Sequence, residues 1–490
     1  MKNKFNLKLA RLGVLVSALC TGCAIAEHNK DNIEVDLATQ QQTEEQRQAD
    51  AERQTALNKA EEDRLAFEKQ QQDEAKLADI IGNRDLQFKG NVAKIYADNG
   101  YTPIWTNSAA EKQFLHDYAM MLASGISSRS MKSLEAIDQL PVNDANALVR
   151  DMLITDAFLD YMYYAKNVSR YAQSWFYNNA NYKVGNISEE TINQWLTAVK
   201  NQQDNEFIKN LSSNNRLYRQ TVDYISNNIG KSKAESLYKL ALNAQRLRML
   251  PDFTNGIFVN IPSYQLNYYR DGQVILNSRV IVGKNERRTP VMSSKLSNVV
   301  VNPPWNAPER LINEDIIPKV KRDPGYLARN GYSIIDGKGN VIDPYNINWS
   351  AVGAKFPYRL RQAAGDNSAL GRYKFNMPSS DAIYLHDTPN HALFNKAARS
   401  LSSGCVRVDK SDQLASILLK ESGWSDQRKQ SVLESKKTTS AAIQSNNPVY
   451  LYYVTFWIDN GKIQNLADIY SYDKSAPSYL NWAILKKYIG

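Results

Sequence analysis

The chain has 490 residues, 43% of them hydrophobic, which is enough for two or three domains with a substantial core. Its formal charge is +9, but four basic residues lie in an acid-free leader, and without them 56 basic and 51 acidic residues leave +5. This mild excess, with no basic patch interleaved with aromatic residues, argues against nucleic acid as a partner.

Residues 1–26 are predicted to be a signal peptide. A basic start precedes an apolar core from Leu12 to Cys20, and Ala24-Ile25-Ala26 forms a cleavage site of small residues. The apolar run is too short to span a bilayer comfortably. Lipoprotein processing at Leu19–Cys23 is the alternative, with a lipid anchor and membrane contact as its consequence. Both routes export the protein, so we expect a periplasmic location.

Residues 27–79 are predicted to be a polar, partly helical linker. Gln, Glu, Lys, Arg and Ala dominate from residue 31 onward, and Pro and Gly are absent. Leu57, Leu65 and Phe67 are too sparse for a sustained coiled-coil seam. A solvated spacer is therefore the favoured interpretation.

The rest of the chain changes character near Pro251. Residues 80–250 show helical periodicity and predict an all-α domain, in which the Tyr and Trp residues form a core rather than a sugar-stacking surface. Residues 251–475 are β-rich, which makes the fold class α+β. Residues 309–359 are polar and helix-prone, and they predict an inserted helical lid. Residues 476–490 form an aromatic tail that should pack onto the protein.

Three β-rich runs open the second domain, at 257–261, 264–269 and 273–282. Arg270-Asp271-Gly272 between the last two predicts a hairpin turn. A long final strand is predicted over 449–458. Together these runs predict strands at both the start and the end of the domain.

Cys405 is the only cysteine outside the leader. Because paired cysteines become disulfides in an oxidising compartment, an unpaired thiol there indicates that the protein uses the thiol for its function. His386 directly follows a strand predicted over 382–385 and lies nineteen residues before Cys405, so a loop would bring both to one sheet edge. A thiol beside an imidazole is a candidate nucleophile. The alternative is a small buried hydrophobe. The rival base, His391, lies off the strand in a Pro-Asn loop.

These residues resemble the catalytic signature of the YkuD-type L,D-transpeptidases, the cysteine enzymes that cross-link peptidoglycan. His386-Asp387-Thr388 and Ser402-Ser403-Gly404-Cys405-Val406-Arg407 carry the resemblance. Further stretches are similar to the large periplasmic branch of Gram-negative bacteria: Asn302-Pro303-Pro304-Trp305, Asp323-Pro324-Gly325-Tyr326, Gly371-Arg372-Tyr373-Lys374-Phe375 and the strand from Pro448 to Trp457. The resemblance implies a mainly β YkuD-like catalytic domain with a capping lid, preceded by a helical scaffold domain.

Two features depart from the family pattern. The common form has a histidine immediately before the Gly-Cys pair, where this chain has Ser403, so His386 is the only base available. The large branch usually carries a small peptidoglycan-binding module, whose pattern is not found between Asn201 and Leu250. Binding to the wall through that module is therefore not expected.

The resemblance, together with the residue chemistry, implies a role for each site residue. Cys405 attacks a peptide carbonyl with His386 as base, Gly404 permits the tight turn, and the backbone N–H of Cys405 stabilises the oxyanion. Arg407 holds either a substrate carboxylate or an internal acid. The predicted substrate-binding residues are Tyr384, Arg407, Ser403 and Thr388. No metal-ligand cluster or cofactor motif is found.

The implied reaction joins tetrapeptide stems of peptidoglycan, as donor and acceptor, through 3→3 links between diaminopimelate residues. Hydrolysis, exchange with a free D-amino acid and attachment of a lipoprotein would use the same acyl-enzyme. The resemblance also implies acylation by carbapenems and contact with other proteins of cell-wall synthesis. Papain-like enzymes and sortases fit the order and setting of the His and Cys poorly. A non-catalytic envelope scaffold has no need of either residue.

Overall fold

The computed structural model describes residues 27–141, 143–178, 182–444 and 446–490, with side chains described from residue 46. The predicted signal peptide lies outside these residues. The chain divides into two compact units, residues 1–79 and 80–490. Within the described ranges, no helix is both long enough and apolar enough to cross a membrane.

The described part of the first unit is helical: α1 (Glu27–Ile81) has 55 residues and ends two residues beyond the boundary of the unit. The sequence predicts only partial helix here, but strong helix formers without Pro or Gly allow it to run uninterrupted. Arg64 pairs with Glu61 and Glu68 at helical spacing. Leu57 and Phe67 are more than half exposed, in agreement with a solvated helix that lacks a hydrophobic seam.

In the described residues, eight further α-helices lie between α1 and the first strand. They are α2 (Lys89–Asp98), α3 (Ser108–Leu122), α4 (Ser128–Asp138), α5 (Ala147–Ala172), α6 (Glu189–Lys200), α7 (Asp204–Asn210), α8 (Arg216–Asn228) and α9 (Ala234–Leu247). The aromatic residues form the core as predicted: Phe158 of α5 lies 5.0 Å from both Phe114 and Trp195, ring to ring. All three side chains are fully buried.

The remaining elements build the β-rich part of the chain. The strands are β1 (Gly256–Asn260), β2 (Gln265–Arg270), β3 (Gln273–Gly283), β4 (Met292–Lys295), β5 (Asn298–Val301), β6 (Trp305–Asn306), β7 (Tyr332–Ile335), β8 (Val341–Ile342), β9 (Arg359–Gln362), β10 (Tyr373–Asn376), β11 (Leu385–His386), β12 (Ser400–Ser402), β13 (Val406–Val408), β14 (Thr439–Ala442), β15 (Pro448–Tyr452), β16 (Phe456–Asp459) and β17 (Lys462–Asn465). The helices are α10 (Glu309–Leu311), α11 (Ile317–Arg322), α12 (Tyr326–Arg329), α13 (Ser411–Glu421), α14 (Asp426–Ser435) and α15 (Trp482–Ile489).

One large sheet has the strand order β14-β5-β10-β11-β13-β3-β2-β1-β15-β4, with β12 paired to β3. The predicted hairpin joins β2 and β3, and Asp271 and Gly272 both have positive φ, as a type I′ turn requires. The single strand predicted over 449–458 is wrong, because it breaks between β15 and β16. There the N–H groups of Val454 and Thr455 donate to the side chains of Asn260 and Asn243 instead of a neighbouring strand.

Residues 305–362, which we call the cap, have their own core of Ile, Val, Leu and aromatic side chains. Short helices α10 to α12 are accompanied by a four-stranded sheet of order β6-β9-β7-β8. The sequence pattern predicts only the helices, because strands of two to four residues are too short to show an alternating pattern. The cap is therefore a mixed α and β insertion.

The C-terminal residues pack back onto the helical region, as expected for an aromatic tail. Leu485 and Ile489 of α15 are buried. Asn481 donates a hydrogen bond to Glu135 of α4, and Lys487 forms an ion pair with Asp138. The end of the chain thus joins the β-rich part to the helices.

Candidate active site

Three neighbouring strands bring His386 and Cys405 to one cavity. β11 pairs antiparallel with β10 and parallel with β13, and it ends at His386, while Cys405 lies immediately before β13. The N–H of Val406 donates to the carbonyl of Tyr384 and fixes this alignment. Both candidate residues line a cavity of about 640 Å³, which cap side chains such as Tyr326 and Tyr332 line from the other side.

The turn that presents Cys405 is shaped by Gly404, whose φ of +122° is rarely adopted by other residues. The N–H of Gly404 donates to the hydroxyl of Ser402, and that hydroxyl donates to the carbonyl of Cys405. Within the described residues, the N–H of Cys405 has no hydrogen-bond partner. One backbone donor beside the sulfur is therefore free for a developing oxyanion, as the sequence predicts.

Two residues distant in the sequence hold this turn in place. The hydroxyl of Thr289 donates to the carbonyl of Gly404 at 2.7 Å and accepts from the N–H of Gly283. Tyr470 accepts from the N–H of Thr289 and donates to the carbonyl of Gly283. The sequence offers no local signal for this network, which fixes the Gly404 turn from β3 and from the segment after β17.

A chain of contacts orients His386. Its Nδ1 lies 2.5 Å from the carbonyl oxygen of Asp387, which makes Nδ1 the donor and leaves Nε2 as the basic nitrogen. The Asp387 carboxylate accepts from the hydroxyl of Ser411 and from the N–H of Arg372. Gly371 makes room for it, since a Cβ there would lie 2.3 Å from the carboxylate oxygen. This explains a glycine at the start of the Gly371–Phe375 stretch.

Burial favours the neutral forms of both His386 and Cys405 in the free protein. Desolvation, followed by the charge of Arg407, lowers the pKa of His386 to about 3, and desolvation also raises the pKa of the Cys405 thiol. The Sγ donates to the carbonyl of Ala382 at 3.9 Å. No hydrogen bond joins thiol and imidazole in the described part of the chain, although both face the same cavity.

Comparison with known proteins gives the family. Residues 254–432 match the L,D-transpeptidase catalytic domain of the YkuD type, and residues 90–224 match a scaffold domain. A Haemophilus influenzae protein named as a putative L,D-transpeptidase is 54% identical over 498 residues, and the match covers 99% of each chain. The chain belongs to the YkuD L,D-transpeptidase family. Enzymes of this family act on the peptide stems of peptidoglycan.

Two solved structures of L,D-transpeptidases are more distant. One is from Mycobacterium smegmatis, with 12% identity and a TM-score of 0.19 over 40% of this chain and 57% of that chain. The other is L,D-transpeptidase 1 of Mycobacterium tuberculosis, with 12% identity and a TM-score of 0.15 over 40% of this chain and 61% of that one. TM-scores this low carry no argument about the fold.

Several of the predicted site residues meet in the Cys405 cavity. Tyr384, Arg407 and Ser403 line it with Cys405 and His386. The ring of Tyr384 lies 5.6 Å from that of His386. Ser403, in the position of the family's second histidine, accepts a hydrogen bond from Arg287 at 3.2 Å.

Thr388 and His391 are placed elsewhere. Both line a second cavity of about 660 Å³, which does not include Cys405. Thr388 is fully buried, and His391 lies 3.8 Å from the Asp387 carboxylate. The structure therefore does not bring the predicted substrate residue Thr388, or the rival base, to the thiol.

The sequence pattern misses two cations of the Cys405 cavity. Lys374 is in register with His386, between the buried residues Tyr373 and Phe375. Their alternation is the signal that could have placed Lys374 on the cavity face. Arg287 forms ion pairs with Glu314 and Asp315, and so joins the loop after β3 to the cap. Among the described residues, no group of three or more His, Cys, Asp or Glu is arranged to hold a metal ion.

Proposed function

We propose that this L,D-transpeptidase forms 3→3 cross-links between diaminopimelate residues through a thioester on Cys405. The supporting observation is that Cys405, with a free backbone N–H, and His386, with a free Nε2, line one cavity beneath the cap. The donor is a tetrapeptide stem, and the acceptor is the side-chain amine of a neighbouring stem. The site residues Arg407, Tyr384 and Ser403 contact the donor.

Acylation begins as Nε2 of His386 takes the thiol proton and the sulfur attacks the carbonyl carbon at the L-centre of diaminopimelate. The N–H of Cys405 donates to the resulting oxyanion. Collapse of this intermediate breaks the bond to D-Ala, and the imidazolium returns its proton to the leaving amine. The products are a thioester on Cys405, neutral His386 and free D-Ala. The hydrogen bond between thiol and imidazole forms when the donor binds, since such bonds tighten in the Michaelis complex.

The second half of the reaction reverses these roles. The acceptor amine attacks the thioester carbonyl and gives its proton to Nε2 of His386. The tetrahedral intermediate expels the Cys405 thiolate, which takes the proton back from the imidazolium. Tyr326 and Tyr332 of the cap reduce the access of water, so that the amine rather than water attacks. Water or a free D-amino acid in the same position gives a tripeptide or an exchanged stem.

The location follows from the proposed substrate. Peptidoglycan stems lie outside the cytoplasm, and the leader of residues 1–26 is proposed to deliver the protein to the periplasm. Lipid attachment at Cys23 is the second processing route. Attachment of an outer-membrane lipoprotein to the donor uses the same thioester and differs only in the acceptor.

The test uses the purified protein with tetrapeptide-bearing sacculi and mass analysis of the released muropeptides. We expect 3→3 cross-linked dimers and free D-Ala from the wild type, and neither product from Cys405→Ala. A carbapenem should add its mass to the wild type, as in this family, and leave Cys405→Ala unmodified. Thr289 and Tyr470 are intact in that variant, so the turn itself is retained.

Three other results would change the proposal. Tripeptide without dimer identifies a carboxypeptidase, and incorporation of an added D-amino acid identifies an exchange enzyme. Binding of sacculi without any covalent product, and without a carbapenem adduct, identifies a non-catalytic scaffold. Dimers formed equally by Cys405→Ala would contradict the thioester mechanism.

A further inference from the structure

Two cations flank His386 across three neighbouring strands. Lys374 of β10 is in register with His386 of β11, and His386 is in register with Arg407 of β13. Residues in register project from the same face of a sheet, and all three line the Cys405 cavity. The imidazole thus lies in a row between an ammonium and a guanidinium group.

Neither cation has an acidic partner in the part of the chain that the structure describes. The Lys374 ammonium lies 4.1 Å from the centre of the Tyr384 ring, and Nε of Arg407 is buried without a hydrogen-bond partner. The cavity is lined by two carboxylates. Asp315 is ion-paired to Arg287, and Asp381 is exposed and accepts a hydrogen bond from Ser380. Both acids are therefore occupied elsewhere or open to water.

Two partly buried cations without a counter-ion are unfavourable in a folded protein. Burial is the main cause that lowers the pKa of both Lys374 and Arg407, and the Tyr384 ring offsets only part of the cost for Lys374. The ionised sulfur of Cys405 would favour both cations, but burial raises the pKa of that thiol and keeps it protonated in the free protein. No other described residue supplies a negative charge beside them. A ligand that carries carboxylates at the depth of His386 supplies it.

We propose that Lys374 acts with Arg407 as a two-cation clamp for carboxylates of the donor stem, which makes Lys374 a residue that determines donor specificity. This inference rests on the proposed function. The tetrapeptide donor has two carboxylates close to the scissile bond, at the end of D-Ala and on the side chain of diaminopimelate. Lys374 holds one of them, and the test distinguishes which.

The test is a double-mutant cycle between Lys374 and the donor. Three donors are compared, each a disaccharide tetrapeptide: one with free carboxylates, one amidated at D-Ala, and one amidated on diaminopimelate. The proteins are the full chain as wild type, Lys374→Met and Lys374→Arg, with Lys295→Met as the matched control. Lys295 is an exposed lysine on strand β4 and does not line the cavity. KM and kcat for acylation are measured by mass spectrometry for each pair.

We expect Lys374→Met to raise KM for the free donor about 10- to 100-fold, the factor for losing one hydrogen bond between charged groups. Lys374→Arg should recover most of this loss, and Lys295→Met should match the wild type. Amidation of the carboxylate that Lys374 holds should cost the wild type the same factor and should cost Lys374→Met nothing. The donor that behaves in this way identifies the carboxylate.

Additive losses would overturn the inference. If Lys374→Met raises KM for all three donors by the same factor, donor amidation costs the variant as much as the wild type. Lys374 would then stabilise the site without binding a carboxylate. Circular dichroism and recovery in Lys374→Arg separate this outcome from misfolding. A wild type that no donor acylates refutes the proposed function itself, and this inference with it.

Discussion

Two cavities of similar volume, about 640 and 660 Å³, share the segment from His386 to Thr388, and their charges are arranged in opposite ways. In the second cavity, Asp387 accepts from Ser411, and Asp366 and Asp412 pair with Arg372 and Lys429. In the first, the cations that flank His386 have no acidic partner among the described residues. Volume does not separate the two cavities. What distinguishes the first cavity is its charge: two cations without an acidic partner among the described residues lie in the same cavity as the Cys405 thiol. Such a cavity favours an anionic substrate.

The two histidines provide the strongest test of this comparison, since each lines one cavity. His386→Gln should lower the rate of acylation by a carbapenem about 10²- to 10⁴-fold, the usual contribution of a general base. His391→Gln should stay within about twofold of the wild type, as expected for an exposed side chain. Adduct formation followed by mass spectrometry gives both rates. Equal losses in the two variants would contradict the assignment of the base to the first cavity.

Gly371 lines the second cavity and leaves space for the Asp387 carboxylate. Gly371→Ala should destabilise the protein by about 2–5 kcal/mol, through a left-handed φ and a steric clash together. Gly337→Ala is the control, since its Cβ would meet no atom within 4 Å. Urea unfolding measures both variants. A stable Gly371→Ala protein with full activity would mean that Asp387 can move without disturbing His386.

A substitution of Thr289 tests whether the turn at Gly404 and Cys405 needs support from outside the cavity. Thr289→Val leaves the carbonyl of Gly404 and the N–H of Gly283 without partners, at a cost of about 1–3 kcal/mol. A displaced sulfur should also lower the acylation rate about tenfold. Thr221→Val is the matched control, because the buried Thr221 hydroxyl likewise donates to a carbonyl and accepts from an N–H, those of Leu217 and Ile458. That variant should lose stability but keep its acylation rate.

The sequence was sufficient wherever a local pattern determines the structure. The hairpin at Asp271-Gly272, the helical periodicity around Phe158 and the lone cysteine nineteen residues after a histidine at a strand end can all be seen in short stretches of the sequence. The family resemblance then supplied the roles of Cys405 and His386, which the structure brings to one cavity. Their catalytic roles stay predictions until the variants are measured.

What the sequence could not predict depends on residues far apart in the chain. Thr289 and Tyr470 are separated by 181 residues, and the break before β16 needs the side chain of Asn243, 212 residues away. Lys374 becomes a neighbour of His386 only once the register of β10 and β11 is known. Thr388 was placed with the substrate by its position in the motif, and strand alternation would also put it on the face of His386. β11 ends at His386, so that alternation no longer applies at Thr388, which lines the second cavity.

The ion pairs between Arg287 and the cap test whether the first cavity must be closed for cross-linking. Arg287→Met removes the link to Glu314 and Asp315, and it should raise the ratio of hydrolysed tripeptide to dimer about two- to fivefold, the scale of an ion pair with partly exposed partners. Arg329→Met is the control, since Arg329 pairs with Asp323 inside the cap. An unchanged product ratio would show that the cap does not exclude water through this contact.

The smallest expected effect is that of pH on the rate of acylation. A base is available above its pKa, and the pKa of His386 lies at about 3, so the imidazole is neutral from pH 5 to 8. The thiol stays protonated over the same range, because burial raises its pKa. Acylation by a carbapenem should therefore change by less than about twofold between pH 5 and 8, whereas a histidine with the ordinary pKa of about 6.5 would lose about thirtyfold at pH 5. A steep fall in the acylation rate below pH 6.5 would show that His386 keeps its ordinary pKa. Water or a substrate anion would then solvate the imidazole, and the first cavity would be more open than the burial of His386 indicates.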